Sequence, residues 1–151
     1  YPHIAQLGQL PETNLYRNVN RYDNLIQHEG MLIIRIDAQL FFANTDYFKS
    51  DLEDRLAQNS TKEVIIDAKA MNYVDSTGIA ALIDLDDQLR QAGIRLFFTG
   101  VTGPVRDTFE ASGIVDALGE DRFYLNVHDA VNYIKFDKPE NDGDLALQSN
   151  T

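Results

Sequence analysis

At 151 residues the chain is long enough for one domain with a single core and too short for two. It has no cysteine, which excludes disulfides, thiolate zinc sites and cysteine nucleophiles. A formal net charge of −11 opposes binding to nucleic acid or flat adsorption to an anionic leaflet, and favours neutral or basic partners.

In chain order, Ile4-Ala5-Gln6-Leu7 reads as a first strand, followed by the polar connection Gly8 to Asn14 and an aromatic and basic stretch, Tyr16 to Tyr22. Gly30 opens Met31-Leu32-Ile33-Ile34-Arg35-Ile36, whose nearly continuous apolar character predicts a strand covered on both faces. Asn44 or Thr45 then caps a helix with Phe48, Leu52 and Leu56 on its inner face and Asp51, Glu53, Asp54 and Arg55 turned to water. Val64-Ile65-Ile66-Asp67 is the next strand. A helix follows from Ser76, with Ile79, Leu82, Ile83 and Leu89 inward, and Gly93 closes it.

Ile94 to Thr99 is another buried strand, and Thr102 with Pro104 starts a short helix that ends at Ser112-Gly113-Ile114. Phe123-Tyr124-Leu125 reads as an edge strand. Asn126-Val127-His128-Asp129 resembles a capping box ahead of a last helix carrying Ala130, Val131 and Ile134. From Asp137 the composition turns polar, which predicts a disordered tail over 137–151. The expected fold is α/β: a mixed, mostly parallel sheet of about five strands with about four helices.

Val74-Asp75-Ser76-Thr77-Gly78 carries most of the functional information, because it puts a hydroxyl where a strand gives way to a helix. Ser76 at this place reads as an N-cap, and helix N-termini also favour anions. The sharper alternative is a hydroxyl that accepts a phosphoryl group or lies beside a bound anion. Asp75, Ser76, Thr77 and Gly78 are therefore candidate regulatory residues. Thr99-Gly100-Val101-Thr102-Gly103 is a glycine-bearing turn, and its Thr99, Gly100 and Thr102 are a candidate anion- or nucleotide-contact loop.

Other chemistry is not signalled. His3, His28 and His128 are scattered and read as solvated surface residues. Asp84, Asp86 and Asp87 lie mid-helix without a glycine-bearing loop and read as a solvated face, not a metal site. No Walker A or Gly-x-Gly-x-x-Gly string occurs, and Gly-x-Ser-x-Gly is absent around Ser76. A hydrolase using Ser76 is the most remote reading. No catalytic residue, metal or cofactor is expected. The apolar runs fall far short of a membrane span and no signal-peptide pattern is present, so the chain is expected to be soluble. Its start at Tyr1 is read as a sign of a piece cut from something longer.

The ordered series of segments resembles the STAS domain, shared by sulphate transporters and anti-sigma factor antagonists. Val64 to Asp67 followed by Met71-Asn72-Tyr73-Val74-Asp75-Ser76-Thr77-Gly78 is similar to the family's central strand, phospho-site loop and helix start. Leu96 to Gly100 and Val105 to Ile114 continue the match, and the resemblance runs from Ile4 to Phe136. It implies a STAS-like sandwich over 1–136, with 1–29 as a lead-in holding the first strand. Leu7 to Val19 and Ile34 to Asn44 resemble the transporter branch, the sulphate-permease family, whereas antagonists usually carry a Gly-x-Leu-Asp turn that is absent here.

The resemblance thus implies a regulatory or assembly domain on the cytoplasmic face of the cell membrane, with no catalysis of its own. Its implied partners are the transmembrane domain of the same polypeptide, a second copy in a homodimer, and a cytosolic regulatory protein. The alternative it leaves is a stand-alone anti-sigma factor antagonist switched by phosphorylation of Ser76.

Overall fold

The computed structural model describes residues 3–40 and 42–136. Six strands form one sheet: β1 (Ile4–Gln9), β2 (Tyr16–Asn18), β3 (Met31–Ile36), β4 (Glu63–Asp67), β5 (Arg95–Thr99) and β6 (Phe123–Tyr124). Their order is β2-β1-β3-β4-β5-β6. β3 to β6 run parallel, and β1 is antiparallel to both its neighbours. The sheet is mixed and mostly parallel, as expected, with one strand more than the sequence suggested. That strand is β2: its three residues, Tyr16-Arg17-Asn18, are too few to show a period, and pairing with Leu7 to Gln9 creates it.

Helices α1 (Thr45–Leu56), α2 (Ser76–Gln91), α3 (Gly103–Ser112) and α4 (Ile114–Leu118) occupy the crossovers, and α5 (Val127–Phe136) follows the last strand. Each crossover steps in the same direction across the sheet, so the right-handed rule sends α1 to α4 to one face. There the neighbouring rows Leu32–Val64–Leu96 and Ile34–Ile66–Phe98 pack under Phe48, Leu52, Leu82, Leu85 and Phe109. The row between them, Ile33–Ile65–Phe97, points the other way and is covered by Val127, Ala130, Val131 and Tyr133 of α5. Burial on both faces accounts for the unbroken apolar runs of β3 and β4.

The ends of the helices follow local chemistry. α2 stops in a Schellman arrangement: Ile94 N–H donates to Leu89 O (2.8 Å), Gly93 N–H donates to Arg90 O (3.0 Å), and Gly93 takes φ +77°. Asn126 Oδ1 accepts from Asp129 N–H (2.9 Å), one half of the expected capping box at the start of α5. Asn44 precedes α1, and its amide donates to Gln39 O (2.8 Å).

Several polar residues expected to face water have structural partners instead. Arg55 bonds Asp51 (2.6 Å) and donates to Ile4 O (3.2 Å), tying α1 to β1. Asp86 is buried and paired with Arg90 at 2.8 Å, because its place on α2 lies beside α4 and the turn that carries Arg122. His3 is exposed, as expected, and bonds Asp37 (3.0 Å), which Arg35 also grips. His28 is half-buried, with Nε2 2.9 Å from Gln9 Oε1 and 3.1 Å from the Tyr16 hydroxyl. Burial, reinforced by the charge of Lys135, holds the His28 imidazole below its ordinary pKa, and burial pushes the Tyr16 phenol up to about 12. The tail predicted for 137–151 lies outside the described residues.

Candidate functional site: the entrance to α2

Between β4 and α2 the chain makes a loop held against the β3–α1 connection. Leu40 N–H donates to Tyr73 O (3.0 Å), and Asp75 N–H donates back to Leu40 O (3.2 Å). Leu40 and Val74 thereby form a single parallel bridge, and both side chains are buried. The loop is pinned from below by apolar burial and from the side by backbone hydrogen bonds.

The cap of α2 is Asp75, not Ser76. Asp75 is extended (φ −99°, ψ 179°), its Oδ1 accepts from Gly78 N–H at 2.8 Å, and its carbonyl receives the first helical bond from Ile79 (2.9 Å). Asp and Ser cap about equally well, so the sequence alone does not choose between them. The bridge to Leu40 favours Asp75, because Leu40 O accepts from Asp75 N–H and holds that residue in the extended conformation an N-cap needs. A Cβ at Gly78 would stand 2.6 Å from Leu40 O, so only glycine fits the third helical position. Ser76 is left at the first helical position, exposed, with its hydroxyl not used by the cap. Asp75→Ala is accordingly expected to cost about 1 kcal/mol in a urea titration and Ser76→Ala only a few tenths. Equal losses would return the capping role to Ser76.

Ser76 lines one end of an open groove of about 640 Å3 between α2 and α3, floored by Ile79, Ala80 and Ile83 and bordered by Asp107 and Thr108. Thr77 is exposed beside it.

The second candidate loop lies elsewhere. Thr99 is fully buried and its carbonyl accepts from Ala68 N–H (2.8 Å), so it belongs to the core and not to a surface loop. Gly100 takes φ +68° and passes close to β4, where an added Cβ would lie 3.1 Å from Asp67 Oδ1. Gly100 and Thr102 line a separate cavity of about 620 Å3 beyond α3. Helix α3 stands between the two sites, giving Asp107, Thr108 and Ala111 to one and Arg106, Phe109 and Glu110 to the other. Ser76 and the Gly100–Thr102 turn thus line different cavities, although both loops follow the C-terminal ends of the adjacent parallel strands β4 and β5 and Gly100 packs beside Lys69.

Asp67 closes the base of the loop. It sits in a transverse row with Arg35 and Thr99 and accepts from Lys69 N–H (3.0 Å). Burial raises its carboxyl above the ordinary range, and the Lys69 N–H, the charges of Arg35 and Lys69, and the Thr99 hydroxyl offset part of that rise. A raised pKa means that the folded state holds the proton more tightly than the unfolded one. The stability gained from this group is thus present below about pH 4 and falls as pH rises through the folded pKa. Asp67→Asn keeps an acceptor for Lys69 N–H. It is expected to raise the melting temperature at pH 7 and to flatten the pH dependence just above pH 4. A lower melting temperature at pH 7 would show that the ionised carboxylate is needed.

Among the described residues, no three His, Asp or Glu side chains converge as a metal site, and no helix is long and apolar enough to cross a membrane. The Leu40 clamp was invisible in the sequence because it works through main-chain atoms. The carboxylates around the second cavity were equally hidden, since Glu110, Asp116 and Glu120 come from separate turns.

Fold and site together define a small α/β module whose exposed serine stands at the entrance of a central helix. The chain belongs to the STAS domain family, whose model matches residues 22–130. It is 36% identical over 141 residues to the probable sulfate transporter 4.2 of Arabidopsis thaliana, an alignment covering 86% of this chain and 21% of that protein. The chain thus spans about a fifth of the length of the curated relatives it matches. Murine Solute Carrier 26 family member A9, an anion transporter, superposes with a TM-score of 0.79 at 21% identity, over 88% of this chain and 22% of that one. The unphosphorylated anti-sigma factor antagonist SpoIIAA gives a TM-score of 0.59 at 15% identity, over 74% and 93%.

Proposed function

We propose that this chain is the cytoplasmic STAS domain of a sulphate-permease-type anion transporter, where it regulates and helps to assemble the carrier. The observation that carries the reading is the likeness to a sulfate transporter over 86% of this chain, while most of that protein lies outside the match. Sulphate, bicarbonate or a related anion would be bound by membrane helices outside this sequence, and no catalytic step is assigned to this domain. Its partners are the membrane portion of the same polypeptide, a second copy in a homodimer, and a cytosolic regulatory protein. The stand-alone antagonist remains the alternative, supported by the shared fold; the family resemblance would put Ser76 at its phospho-acceptor position.

Regulation is assigned to the entrance of α2. With Asp75 holding the cap, the Ser76 hydroxyl is exposed and accessible to a kinase. A phosphate there meets the positive end of α2 but also the carboxylates of Asp75 and Asp107, so its effect is to change what the groove accepts. The test is anion flux through the parent transporter reconstituted in vesicles. Ser76→Glu is expected to change flux at least about twofold relative to Ser76→Ala, with the domain still folded. Equal flux at equal expression would overturn the regulatory assignment. A coding sequence upstream of Tyr1 without apolar spans of about 20 residues would overturn the transporter assignment and leave the antagonist.

A further inference from the structure

The cavity beyond α3 has a chemistry of its own. Its floor is apolar, made by Phe109 and Phe123, and Leu125 stands at its mouth with 73% of its surface in water. Around the rim are the exposed carboxylates of Glu110, Asp116 and Glu120. The rim cation, Arg106, is already engaged by Glu110 at 3.1 Å. Asp116 and Glu120 have no ion-pair partner among the described residues. On α1 and α2, Asp51, Asp84 and Asp86 are paired with Arg55, Lys49 and Arg90, whereas Glu53 and Asp54 are exposed without an ion pair among the described residues and border neither cavity.

An apolar hole with an anionic rim selects an apolar side chain flanked by positive charge, and it repels phosphate groups and anionic lipid headgroups. In a membrane transporter, that chemistry is concentrated in the short cytoplasmic loops, which carry an excess of Lys and Arg next to apolar spans. We propose that this cavity receives an apolar residue of a Lys/Arg-flanked cytoplasmic loop belonging to the transporter's own membrane portion. The inference rests on the transporter reading above and adds to it the surface by which the domain would sense that portion. Leu125 and Phe123 supply the apolar contact, and Asp116 and Glu120 hold the flanking cations.

Two measurements test it. In the 151-residue chain, fluorescence anisotropy follows a labelled, amidated Lys-Arg-Phe-Leu-Lys-Arg peptide. Asp116→Asn with Glu120→Gln is expected to weaken binding about fivefold, as two solvent-exposed ion pairs would. Glu53→Gln with Asp54→Asn, exposed carboxylates on α1, should leave it unchanged. No binding, or an equal loss in both variants, would overturn the pocket.

In the parent protein, a photo-crosslinking residue at position 125 should capture a cytoplasmic loop of the membrane portion, and D116K/E120K should abolish that capture. Crosslinks only to lipid or to an unrelated protein would overturn the assigned occupant. Should the upstream sequence lack membrane spans, the transporter reading fails by itself, and the peptide result still decides the pocket.

Discussion

Replacing Phe98 by alanine is expected to cost about 3–5 kcal/mol, a large part of the 5–15 kcal/mol that holds a typical domain together. Phe98 is fully buried in the middle of the sheet face that carries α1 to α4. Its ring meets Phe109 edge-on at 5.4 Å and stacks on Phe123 at 5.6 Å, and those two meet each other at 6.3 Å. One side chain thus joins β5, α3 and β6. Truncation removes the apolar transfer energy and leaves a cavity that two large rings cannot close by small shifts. Urea titration should show the loss, with Phe98→Leu recovering a good part of it. Phe136→Ala, at a position 72% exposed, should change stability by less than about 0.5 kcal/mol. A loss below about 1 kcal/mol in Phe98→Ala would mean that the cluster is not the centre of the core. Because Phe109 and Phe123 also floor the second cavity, the same variant should weaken binding of the basic peptide.

Gly78→Ala carries the second large effect, and its sign is the informative part. In an exposed helix interior, alanine is better than glycine by about 1 kcal/mol. Here the new methyl would lie 2.6 Å from Leu40 O and 2.8 Å from Val74 Cγ2, and the nearer of these is backbone. Either the entrance of α2 or the Leu40 segment must move, which threatens the Asp75–Leu40 hydrogen bond and the Asp75 cap together. A net loss of about 1–3 kcal/mol is expected. Faster hydrogen exchange at the amides of Asp75 and Gly78 would locate the damage. A stabilised Gly78→Ala would show that Leu40 does not set the helix register.

Much of the fold was legible because it rests on local patterns. The apolar runs of Met31 to Ile36, Val64 to Asp67 and Ile94 to Thr99 marked β3, β4 and β5, and Gly93 and Gly113 marked helix ends. β2 was missed because three residues paired across a hairpin carry no pattern of their own. The polar errors share one cause. Arg55, Asp86 and His28 look like surface residues by type, yet Ile4 O, the flank of α4 and Tyr16 come against them only after the sheet and helices have packed.

At the entrance of α2, the residues by themselves determined that a strand would end, a capped helix would begin, and a hydroxyl would stand between them. They could not choose the cap, since the side chains of Asp75 and Ser76 offer comparable acceptors one residue apart. That choice was made by the Leu40 carbonyl, 35 positions upstream of Asp75. Leu40 O accepts from Asp75 N–H and holds that residue extended, and it leaves no room for a Cβ at Gly78, so the helix starts after Asp75 with Ser76 outside the cap. The acidic apolar cavity was decided in the same way. Glu110, Asp116, Glu120 and Leu125 lie in one stretch of chain, but they border a single cavity only once the α3–α4 turn and the segment leading into β6 have folded back on each other.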